Sequence, residues 1–452
     1  MNVEHLKRVY FIGIGGIGMS ALARFFSQRG TDVRGYDRTE TPLTKKLVAE
    51  GIEVHYDDDT SLLDKDAELV VYTPAIPVGH KELNWYKDNN YPVYKRSDVL
   101  QWITEHMFAI TIAGTHGKTT MTTMISYLLR EAGVGCNAFL GGVSVNYDTN
   151  YWSSKANTAV IEADEYDRSF LKLKPDVALL TAMDADHLDI YGTVEGMEQA
   201  YIDYTKNIKQ NGTLIAKHGL KRGHEITAKH ILTYSMQNDA ADVYGDNIMM
   251  NDGGYVFDVF YKGERTGGYR LDMGGMHNVE NAIGAIAVTN LMELDQQRVI
   301  QALAGFRGVK RRFEYVVKTD KTVYVDDYAH HPEELHALIK SAKLLFSDKR
   351  CVVVFQPHLY SRTRDLADGF AHSLDMADEV ILLDIYPARE EPIEGVTSEM
   401  IKEKMANPNC TILSKEGLLE YASVAPLELF ITAGAGDIDK LVTPIKEIIE
   451  SK

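Results

Sequence analysis

Short apolar stretches alternate with longer polar stretches along much of this chain of 452 residues. The apolar stretches are rich in Val, Ile and Leu, and many enter a glycine-containing or polar loop before a stretch with helical periodicity begins. That alternation predicts parallel sheets flanked by helices, because consecutive parallel strands need a crossover connection. A chain of this length is too long for one compact core, and about three domains are expected. We therefore predict an α/β protein of three domains.

The most informative stretch is 108–120, where an apolar β-branched run enters a Gly-Thr-His-Gly turn and a helix begins at Lys118. A strand, a glycine turn and a helix start make a phosphate-binding loop, because backbone N–H groups and the helix dipole face the anion. Lys118 adds a positive charge, and the hydroxyl of Thr119 is suited to Mg²⁺. Ile112 stands where the common P-loop spacing has glycine. We predict that this loop binds ATP; the alternative is an ordinary tight turn between strand and helix.

A second glycine turn, at 13–18, follows the apolar run 9–12 and precedes a helical stretch. The next predicted strand ends at Asp37. This pattern predicts a Rossmann-like domain with a diphosphate at the helix N-terminus and Asp37 near a ribose hydroxyl. The alternative is a turn that uses glycine only for close packing of helix and strand. Thr73 begins a loop that is placed to close over the ligand, and 89–100 is interpreted as a hinge into the next domain.

Two predicted strands of the middle region end in carboxylate-rich loops. Residues 158–161 lead into Glu162-Ala163-Asp164-Glu165, and 177–181 lead into a loop that contains His187. Ligands collect at the carboxyl ends of parallel strands, and Mg²⁺ prefers oxygen ligands, so these loops predict a metal site. The histidine fits as an extra ligand or as a hydrogen-bonding partner of that site. The alternative is a pair of solvated acidic loops.

Paired amides mark a predicted helix start further along the chain, after a hairpin signal around 251–254. Asn278 and Asn281 lie three residues apart and therefore on one face of the helix. Their amides are suited to an adenine edge, although asparagine near a helix start is more often a cap. The basic link 308–313 is expected either to meet phosphate or to remain a solvated linker.

The last part of the chain repeats the strand–loop–helix pattern four times after residue 322, which predicts another parallel sheet. Histidines and arginines follow the predicted strands, among them His330, His358 and Arg362. A single histidine at a strand end would be consistent with a structural role. Several at neighbouring strand ends indicate a face that handles anions.

Composition narrows the function classes. The formal net charge is −17, which makes general adhesion to nucleic acid or to an anionic membrane unfavourable. The three cysteines are widely separated and form neither a disulfide framework nor a metal-binding spacing. The chain start has no signal-peptide pattern, and no apolar run is long enough to span a bilayer. We therefore expect a cytoplasmic protein without a nucleic-acid or membrane partner.

Several of these motifs occur together and in a fixed order: Ala113–Thr120, Glu162–Glu165, Asp186–Asp189, His277-Asn278 with Asn281, and Asp326–Pro332. In combination they resemble the Mur ligase family, and the resemblance covers essentially the whole chain. Gly15–Ser20 and Asp326–Pro332 resemble the alanine-adding branch of that family. The resemblance implies that the Rossmann-like N-terminal domain binds the UDP of a sugar nucleotide rather than NAD.

The activity that the resemblance implies is an ATP-dependent ligation in the synthesis of peptidoglycan precursors. L-Alanine would be joined to the lactyl carboxylate of UDP-N-acetylmuramate through an acyl phosphate, with release of ADP and phosphate. Mg²⁺ is expected, as two ions, and the protein is expected to be a monomer or a weak homodimer. The expected domains are a UDP-sugar-binding domain over 1–97, a central P-loop ATP-binding domain over 98–312, and a C-terminal Rossmann-like domain over 313–452 that completes the amino-acid and ATP site.

The resemblance also implies roles for individual residues. Catalytic roles fall to Lys118, Glu162, His187, His330 and Arg362. ATP would be bound by Gly114, Thr115, His116, Gly117, Lys118, Thr119, Thr120, His277, Asn278, Asn281, Arg312 and Asp327. The sugar nucleotide and the amino acid would be bound by Gly15, Gly16, Ile17, Gly18, Met19, Ser20, Asp37, Thr73, His187, Tyr328, His330, His358 and Arg362. The metal ligands would be Thr119, Glu162 and His187.

Two positions depart from the family pattern. Tyr201 stands where some sister ligases carry a carbamylated lysine, and Leu359 stands where some alanine-adding enzymes have arginine. Carboxylate recognition is therefore expected to rest more on Arg362. The nearest alternative function is a sister ligase that recycles cell-wall tripeptide onto the same sugar nucleotide. A nicotinamide-dependent dehydrogenase or a non-enzymatic nucleotide switch would each leave several of the motifs unused.

Overall fold

The computed structural model describes residues 3–184, 188–388 and 390–452. The chain folds into two compact units, each built from more than one stretch of the sequence. The first unit contains 1–247, 257–269 and 280–304, and the second contains 248–256, 270–279 and 305–452. No helix in the described part of the chain is long and apolar enough to cross a membrane.

The first sheet lies at the start of the chain and is parallel throughout. Its five strands lie in the order β3-β2-β1-β4-β5. They are β1 (Arg8–Ile12), β2 (Asp32–Tyr36), β3 (Glu53–His55), β4 (Leu69–Tyr72) and β5 (Val93–Lys95). The helices of this part are α1 (Ile17–Ser27), α2 (Pro42–Ala49), α3 (Lys81–Asp88) and α4 (Arg96–His106).

The second sheet has ten strands in the order β15-β14-β13-β12-β11-β10-β6-β9-β7-β8. Parallel pairing of β10, β6 and β9 places their carboxyl ends at one edge. The strands are β6 (Phe108–Ala113), β7 (Asn137–Ser144), β8 (Thr149–Trp152), β9 (Thr158–Glu162), β10 (Val177–Leu180), β11 (Thr213–Lys217), β12 (His230–Ser235), β13 (Val243–Asn251), β14 (Gly254–Tyr261) and β15 (Glu264–Leu271). The helices are α5 (Lys118–Glu131), α6 (Leu188–Tyr191), α7 (Val194–Thr205), α8 (Met276–Leu291) and α9 (Gln296–Gly305).

The third sheet has six strands in the order β16-β17-β21-β18-β19-β20, and only β16 runs antiparallel to its neighbour. The strands are β16 (Glu314–Lys318), β17 (Val323–Asp327), β18 (Cys351–Phe355), β19 (Glu379–Leu382), β20 (Cys410–Ile412) and β21 (Leu429–Ala433). The helices are α10 (Pro332–Leu345), α11 (Tyr360–Leu374), α12 (Glu399–Lys402), α13 (Lys415–Val424) and α14 (Val442–Glu450).

The predicted α/β class and the parallel sheets are confirmed, but some local predictions are wrong. The stretch 89–100 is not a hinge, because it contains the edge strand β5 and the start of α4. By contrast, helix α5 starts at Lys118, immediately after the glycine turn, as the sequence predicts. The apolar run 322–325 predicts that Asp326 and Asp327 begin the following loop, but both belong to strand β17. The contiguous domain boundaries at 97/98 and 312/313 stay predictions.

Candidate active site

The turn between β6 and α5 has the backbone of a phosphate-binding loop. Gly114 has φ +125°, and a Cβ there would overlap Thr181 Oγ1 and lie 2.7 Å from Ala182 N. Gly117, the N-cap of α5, has φ +77°, and a Cβ there would lie 2.6 Å from Asn281 Oδ1. Thr181 Oγ1 donates to the carbonyl of His116 at 2.5 Å. Both positions therefore require glycine, and the end of β10 fixes the shape of the turn.

Thr115 and His116 form the outer part of this turn. Thr115 is buried, and its Oγ1 accepts a hydrogen bond from Asp184 N at 3.2 Å. The His116 side chain is 73% exposed, and its Nε2 lies 3.5 Å from Asp184 Oδ2. Thr120 is buried inside α5. Of the turn side chains, His116 is the one that presents a polar group to solvent.

Lys118 reaches across the turn from the first position of α5. Its Nζ donates to the carbonyl of Gly114 and to Glu165 Oε1, both at 2.7 Å. Glu165 is 1% exposed, and its burial raises the pKa of the carboxyl group, although the Lys118 ammonium acts in the opposite direction. Tyr191 donates to the carbonyl of Glu165 at 2.6 Å, which fixes this loop. The lysine is thus held over the phosphate-binding turn.

Thr119 and Glu162 form the part of the site that suits a metal ion. Thr119 Oγ1 donates to Glu162 Oε1 at 3.0 Å, and Gly141 N donates to Glu162 Oε2 at 3.1 Å. Among the described residues no three His, Cys, Asp or Glu side chains converge as a metal-binding group. One carboxylate and one hydroxyl nevertheless fit Mg²⁺ beside a nucleotide, because this ion takes few protein ligands and completes its shell with phosphate oxygens and water.

The predicted second metal ligand, His187, lies outside the described residues. Its assignments to catalysis, to substrate and to a second ion therefore stay predictions. Tyr201, at the position of the carbamylated lysine of sister ligases, is fully buried on α7 with its ring 5.3 Å from that of Phe170. This tyrosine is part of the core.

The amides predicted for adenine occupy different surroundings at the start of α8. Asn281 lies against Gly117 of the phosphate-binding turn, as the 2.6 Å approach to an added Cβ shows. Asn278 is 3% exposed, and its Nδ2 donates to the carbonyl of Gly274 at 2.7 Å. His277 is exposed. Asn281 is therefore close to where phosphate would bind, whereas Asn278 fixes the helix start.

The N-terminal glycine turn has the geometry predicted for a diphosphate site. Gly15 N donates to Asp37 Oδ2 at 2.7 Å, so Asp37 fixes the turn as well as standing at the end of β2. Gly16 is the N-cap of α1 and supplies no side-chain cap, which leaves the helix start open to an anion. Thr73 lies beside the turn, with its Cγ2 2.8 Å from where a Cβ on Gly13 would be.

The side chains of the first α1 turn differ in exposure. Ile17 is 37% exposed, whereas Met19 and Ser20 are buried. Ser20 Oγ donates to the carbonyl of Ile17 at 3.0 Å. A ligand at this turn would therefore meet backbone N–H groups rather than the Ser20 hydroxyl.

In the second unit, the predicted histidines and arginine lie together at the carboxyl ends of β17 and β18. The rings of His330 and His358 are 6.2 Å apart, and Arg362 Nη1 lies 3.4 Å from His358 Nδ1. Burial lowers the pKa of both histidines, and the Arg362 guanidinium acts in the same direction. Tyr328 is 42% exposed, and its ring lies 5.2 Å from that of His330. The cluster thus combines neutral imidazoles with a fixed cation.

Asp327 and Arg312 lie at the entry to the same sheet. The two Asp327 carboxylate oxygens accept from Phe313 N at 2.6 Å and Ala329 N at 2.7 Å, and Arg312 is exposed. Leu359, the N-cap of α11, has φ +71°, a strained conformation for leucine. Leu359 stands where some alanine-adding enzymes have arginine. In this chain the nearest arginine on the same helix is Arg362, about one turn further along.

Sequence reasoning missed two contributors to these sites. Glu165, quoted only as part of an acidic loop, is the partner of Lys118. Arg96, at the first position of α4, lies against the N-terminal turn, with its Nη1 2.7 Å from where a Cβ on Gly18 would be and its Nη2 3.8 Å from Asp164 Oδ2. The carboxylate was visible in the sequence as a neighbour of Glu162. The arginine lay in the stretch interpreted as a hinge.

Three family models match successive parts of this chain. They are the Mur ligase family catalytic domain at 8–107, the Mur ligase middle domain at 112–289, and the Mur ligase glutamate ligase domain at 311–436. The chain belongs to the Mur ligase family. The phosphate-binding turn, Glu162 and the Asn278–Asn281 pair all fall within the middle-domain match of this Mur ligase.

Individual relatives of this Mur ligase are similar over all or most of its length. The UDP-N-acetylmuramate–L-alanine ligase of Cytophaga hutchinsonii is 46% identical over 461 residues, which cover 100% of this chain and 99% of that protein. The crystal structure of the UDP-N-acetylmuramate-alanine ligase from Thermotoga maritima is 27% identical, with a TM-score of 0.83 and coverage of 98% and 99% of the two chains. The UDP-N-acetylmuramate:L-alanyl-gamma-D-glutamyl-meso-diaminopimelate ligase from Neisseria is 26% identical, with a TM-score of 0.60 and coverage of 68% of this chain and 100% of that chain.

Proposed function

We propose that this Mur ligase joins L-alanine to the lactyl carboxylate of UDP-N-acetylmuramate, with conversion of ATP to ADP and phosphate. The full-length similarity to UDP-N-acetylmuramate–L-alanine ligases carries the proposal. The phosphate-binding turn with Lys118, Thr119 and Glu162 supports the use of ATP. The product would be UDP-N-acetylmuramoyl-L-alanine, a precursor of peptidoglycan.

The chemistry explains why such a site is needed. A carboxylate is a poor electrophile, and phosphorylation converts it to an acyl phosphate with a good leaving group. Two anions, the carboxylate and the γ-phosphate, must meet in this step, so catalysis depends mainly on positioning and charge neutralisation. The ammonium group of Lys118, fixed by its hydrogen bond to Gly114, places a positive charge at the turn. The backbone N–H groups at the start of α5 can donate to the phosphate. Mg²⁺ would neutralise phosphate charge, held by Thr119 and Glu162.

The histidine cluster of the second unit is proposed to serve the amine substrate. L-Alanine must lose a proton from its ammonium group before the nitrogen can attack the acyl phosphate. His330 and His358 have lowered pKa values and are therefore neutral near pH 7, the form that accepts a proton. Arg362 is proposed to bind the alanine carboxylate, since guanidinium groups pair well with carboxylates.

Several further expectations belong to this proposal. A second Mg²⁺ ion is assigned to His187. The protein is proposed to be a cytoplasmic monomer or weak homodimer. Asp37 is proposed to bind the uridine ribose, and Arg312 and Asp327 to bind ATP.

The experiment is phosphate release by the full chain with ATP, Mg²⁺ and UDP-N-acetylmuramate, with L-alanine compared against L-alanyl-γ-D-glutamyl-diaminopimelate. Turnover that requires L-alanine is expected. Turnover that requires the tripeptide would assign the protein to the recycling branch, and absence of turnover with either amine would refute the proposal. Omission of Mg²⁺ is expected to abolish turnover.

A further inference from the structure

The hairpin formed by β7 and β8 contacts the first turn of α1 through one buried amide. Asn150, on β8, is fully buried. Its Nδ2 donates to the carbonyl of Ile17 at 2.5 Å and to Ser20 Oγ at 2.9 Å. Both acceptors belong to the helix turn that follows the N-terminal glycine loop. The amide is separated from this turn by more than a hundred positions in the sequence, and no motif pointed to it.

The orientation of the Asn150 amide is fixed by a second buried group. Arg24 Nη1 donates to Asn150 Oδ1, and the same guanidinium is held by Glu50 through Nε at 2.6 Å and Nη2 at 2.9 Å. Arg24 is only 2% exposed. Because a guanidinium can only donate, the oxygen of the amide must face Arg24, and the NH₂ group must face α1.

The contact acts on the peptide groups that would face the diphosphate. The carbonyl of Ile17 and the N–H of Gly18 belong to one peptide unit, so a hydrogen bond to that carbonyl polarises the neighbouring N–H and strengthens it as a donor. The same bond fixes the plane of the peptide, and therefore the direction of the N–H. The first turn of α1 has no side-chain cap that could do this.

We infer that Asn150 is a positioning residue for sugar-nucleotide binding, which orients the first turn of α1 toward the diphosphate without touching the substrate. The inference rests on the proposed function, because it takes UDP-N-acetylmuramate as the ligand of this turn. It adds a residue of the middle sheet to the N-terminal site.

The other strand of the same hairpin supplies an internal reference for the test. Gly141, on β7, holds the Glu162 carboxylate through its N–H at 3.1 Å. A substitution that merely distorted the hairpin would therefore disturb the ATP site as well. A substitution that acts through α1 alone would change the KM for the sugar nucleotide and leave the KM for ATP in place.

The decisive variant is Asn150→Asp, which keeps the shape and the acceptor for Arg24 but places an oxygen against the Ile17 carbonyl. The matched control is Asn137→Asp, another fully buried asparagine on the hairpin. Its Nδ2 donates to the carbonyls of Ala156 at 3.0 Å and Thr158 at 3.2 Å, away from α1. Both variants and the wild type are assayed as full chains for phosphate release, and UDP binding is measured by calorimetry.

Asn150→Asp is expected to raise the KM for UDP-N-acetylmuramate and the Kd for UDP at least tenfold, with the KM for ATP and kcat changed less than twofold. Asn137→Asp is expected to leave all four values within twofold. An unchanged Kd for UDP in Asn150→Asp, or a parallel rise in the KM for ATP, would overturn the inference. If Asn150→Asp does not fold, the Kd for UDP is measured for Asn150→Ala and Ser20→Ala instead. Each is expected to raise this Kd at least threefold, and an unchanged Kd would refute the inference. Absence of wild-type turnover together with a tenfold weaker UDP binding by Asn150→Asp would refute the proposed function and retain the positioning role toward UDP.

Discussion

At the scale of single residues, the buried pair of Lys118 and Glu165 is the most consequential arrangement. Their side chains are 13% and 2% exposed, so each charge depends on the other for compensation. The pair holds the lysine over the phosphate-binding turn. The pair also gives the lysine a structural role beside its proposed catalytic role, and the two roles can be separated experimentally.

Lys118→Met is expected to lower kcat by about 100-fold or more and to destabilise the fold by roughly 3 kcal/mol at pH 8. The loss of stability is expected to shrink toward pH 5. Without the ammonium the pKa of Glu165 rises further, so the folded state keeps a proton that the unfolded state has lost, and stability falls as the pH rises. Urea unfolding of the variant and the wild type at pH 5 and pH 8 measures this.

The double variant Lys118→Met/Glu165→Gln separates the two roles of the lysine. It is expected to recover most of the stability at pH 8 and none of the activity. Equal stability of Lys118→Met at the two pH values would contradict the account of the buried pair. Recovery of activity in the double variant would remove Lys118 from catalysis.

The sequence predicts Lys118, Thr119 and Glu162 as candidate site residues but not the pair of Lys118 and Glu165. A glycine turn and a strand end have local signatures, and these three residues stay predictions. The partner of Lys118 lies 47 positions away, and its distance is set by the parallel pairing of β6 with β9. The contact of Asn150 with α1 was not predicted for the same reason. A contact that depends on strand order carries no local signal.

At the scale of elements, α5 begins and ends with a glycine of positive φ. Gly117 at its N-cap has φ +77°, and Gly133 just beyond its C-cap has φ +88°. An added Cβ at Gly117 would lie 2.6 Å from Asn281 Oδ1, whereas one at Gly133 would lie 3.5 Å from Arg298 Nη1. The two ends thus share a backbone requirement, but only the first also lacks space.

Gly117→Ala is expected to raise the KM for ATP at least tenfold, because the turn must shift and its N–H groups then no longer point toward the phosphate. Gly133→Ala is the matched control at the other end of the helix. Both are expected to cost about 1 kcal/mol of stability from the strained φ, but Gly133→Ala should keep the KM for ATP within twofold. Thermal unfolding and ATP saturation curves of both variants test this. Equal KM values would show that the turn tolerates a side chain.

Helix α3 carries a buried carboxyl group, Glu82, on the N-terminal sheet. Tyr10 donates to Glu82 Oε2 at 2.7 Å, and Asp59 N donates to Oε1 at 3.3 Å. His55 Nε2 lies 2.6 Å from the Tyr10 hydroxyl and 3.6 Å from Glu82 Oε1. Burial raises the pKa of Glu82 to about 7, and burial lowers the pKa of His55.

Replacement of this carboxyl group by an amide is expected to change the pH profile of stability. The raised pKa means that folded Glu82 keeps its proton up to about pH 7, so its contribution to stability is lost as the pH rises from 5 to 8. The stability of wild type relative to Glu82→Gln is therefore expected to fall by up to roughly 3 kcal/mol over this range. Urea unfolding followed by tryptophan fluorescence measures the difference, and a constant difference would contradict a raised pKa.

The pattern of apolar positions predicted some strands to the residue and missed others. Apolar runs at 69–72, 108–113 and 351–355 each end at a polar or glycine-containing loop, and they predict strands with the observed bounds Leu69–Tyr72, Phe108–Ala113 and Cys351–Phe355. Strand β5 falls in the stretch that the sequence predicts as a hinge, and no sequence pattern predicts β7 or β8. These are short or glycine-containing strands near sheet edges, where the apolar signal is weak.

At the scale of the whole molecule, the three sheets agree with the three predicted domains, but the chain passes between its two compact units five times. The tip of the β13–β14 hairpin belongs to the second unit. There Tyr315 donates to the carbonyl of Gly253 at 2.6 Å, and Lys318 Nζ donates to the carbonyl of Asp252 at 2.5 Å. The sequence pattern does not predict that residues 248–256 belong to the second unit, because nothing in the sequence of a hairpin tip indicates which part of the chain packs against it.

The isolated fragment 305–452 is therefore expected to be less stable than the same region in the full chain. It lacks the partners of Tyr315 and Lys318, and Phe346 loses its contact with the Gly253 position. A loss of about 2 kcal/mol or more is expected from two hydrogen bonds and the uncovered ring. Urea unfolding of the fragment and of the full chain, with circular dichroism as the readout, tests this. An unchanged midpoint for the region would show that the hairpin tip is dispensable.

Because the β13–β14 hairpin tip belongs to the second unit, the order of synthesis on the ribosome affects when that unit can fold. Gly253 is translated about 5 to 20 s before Phe346, the aromatic residue that it contacts. For that time the tip lacks the Phe346 ring that packs against it in the folded chain. The second unit can therefore close only after most of the chain has emerged, and the nascent protein must keep the uncovered hairpin tip soluble until the C-terminal part of the chain arrives.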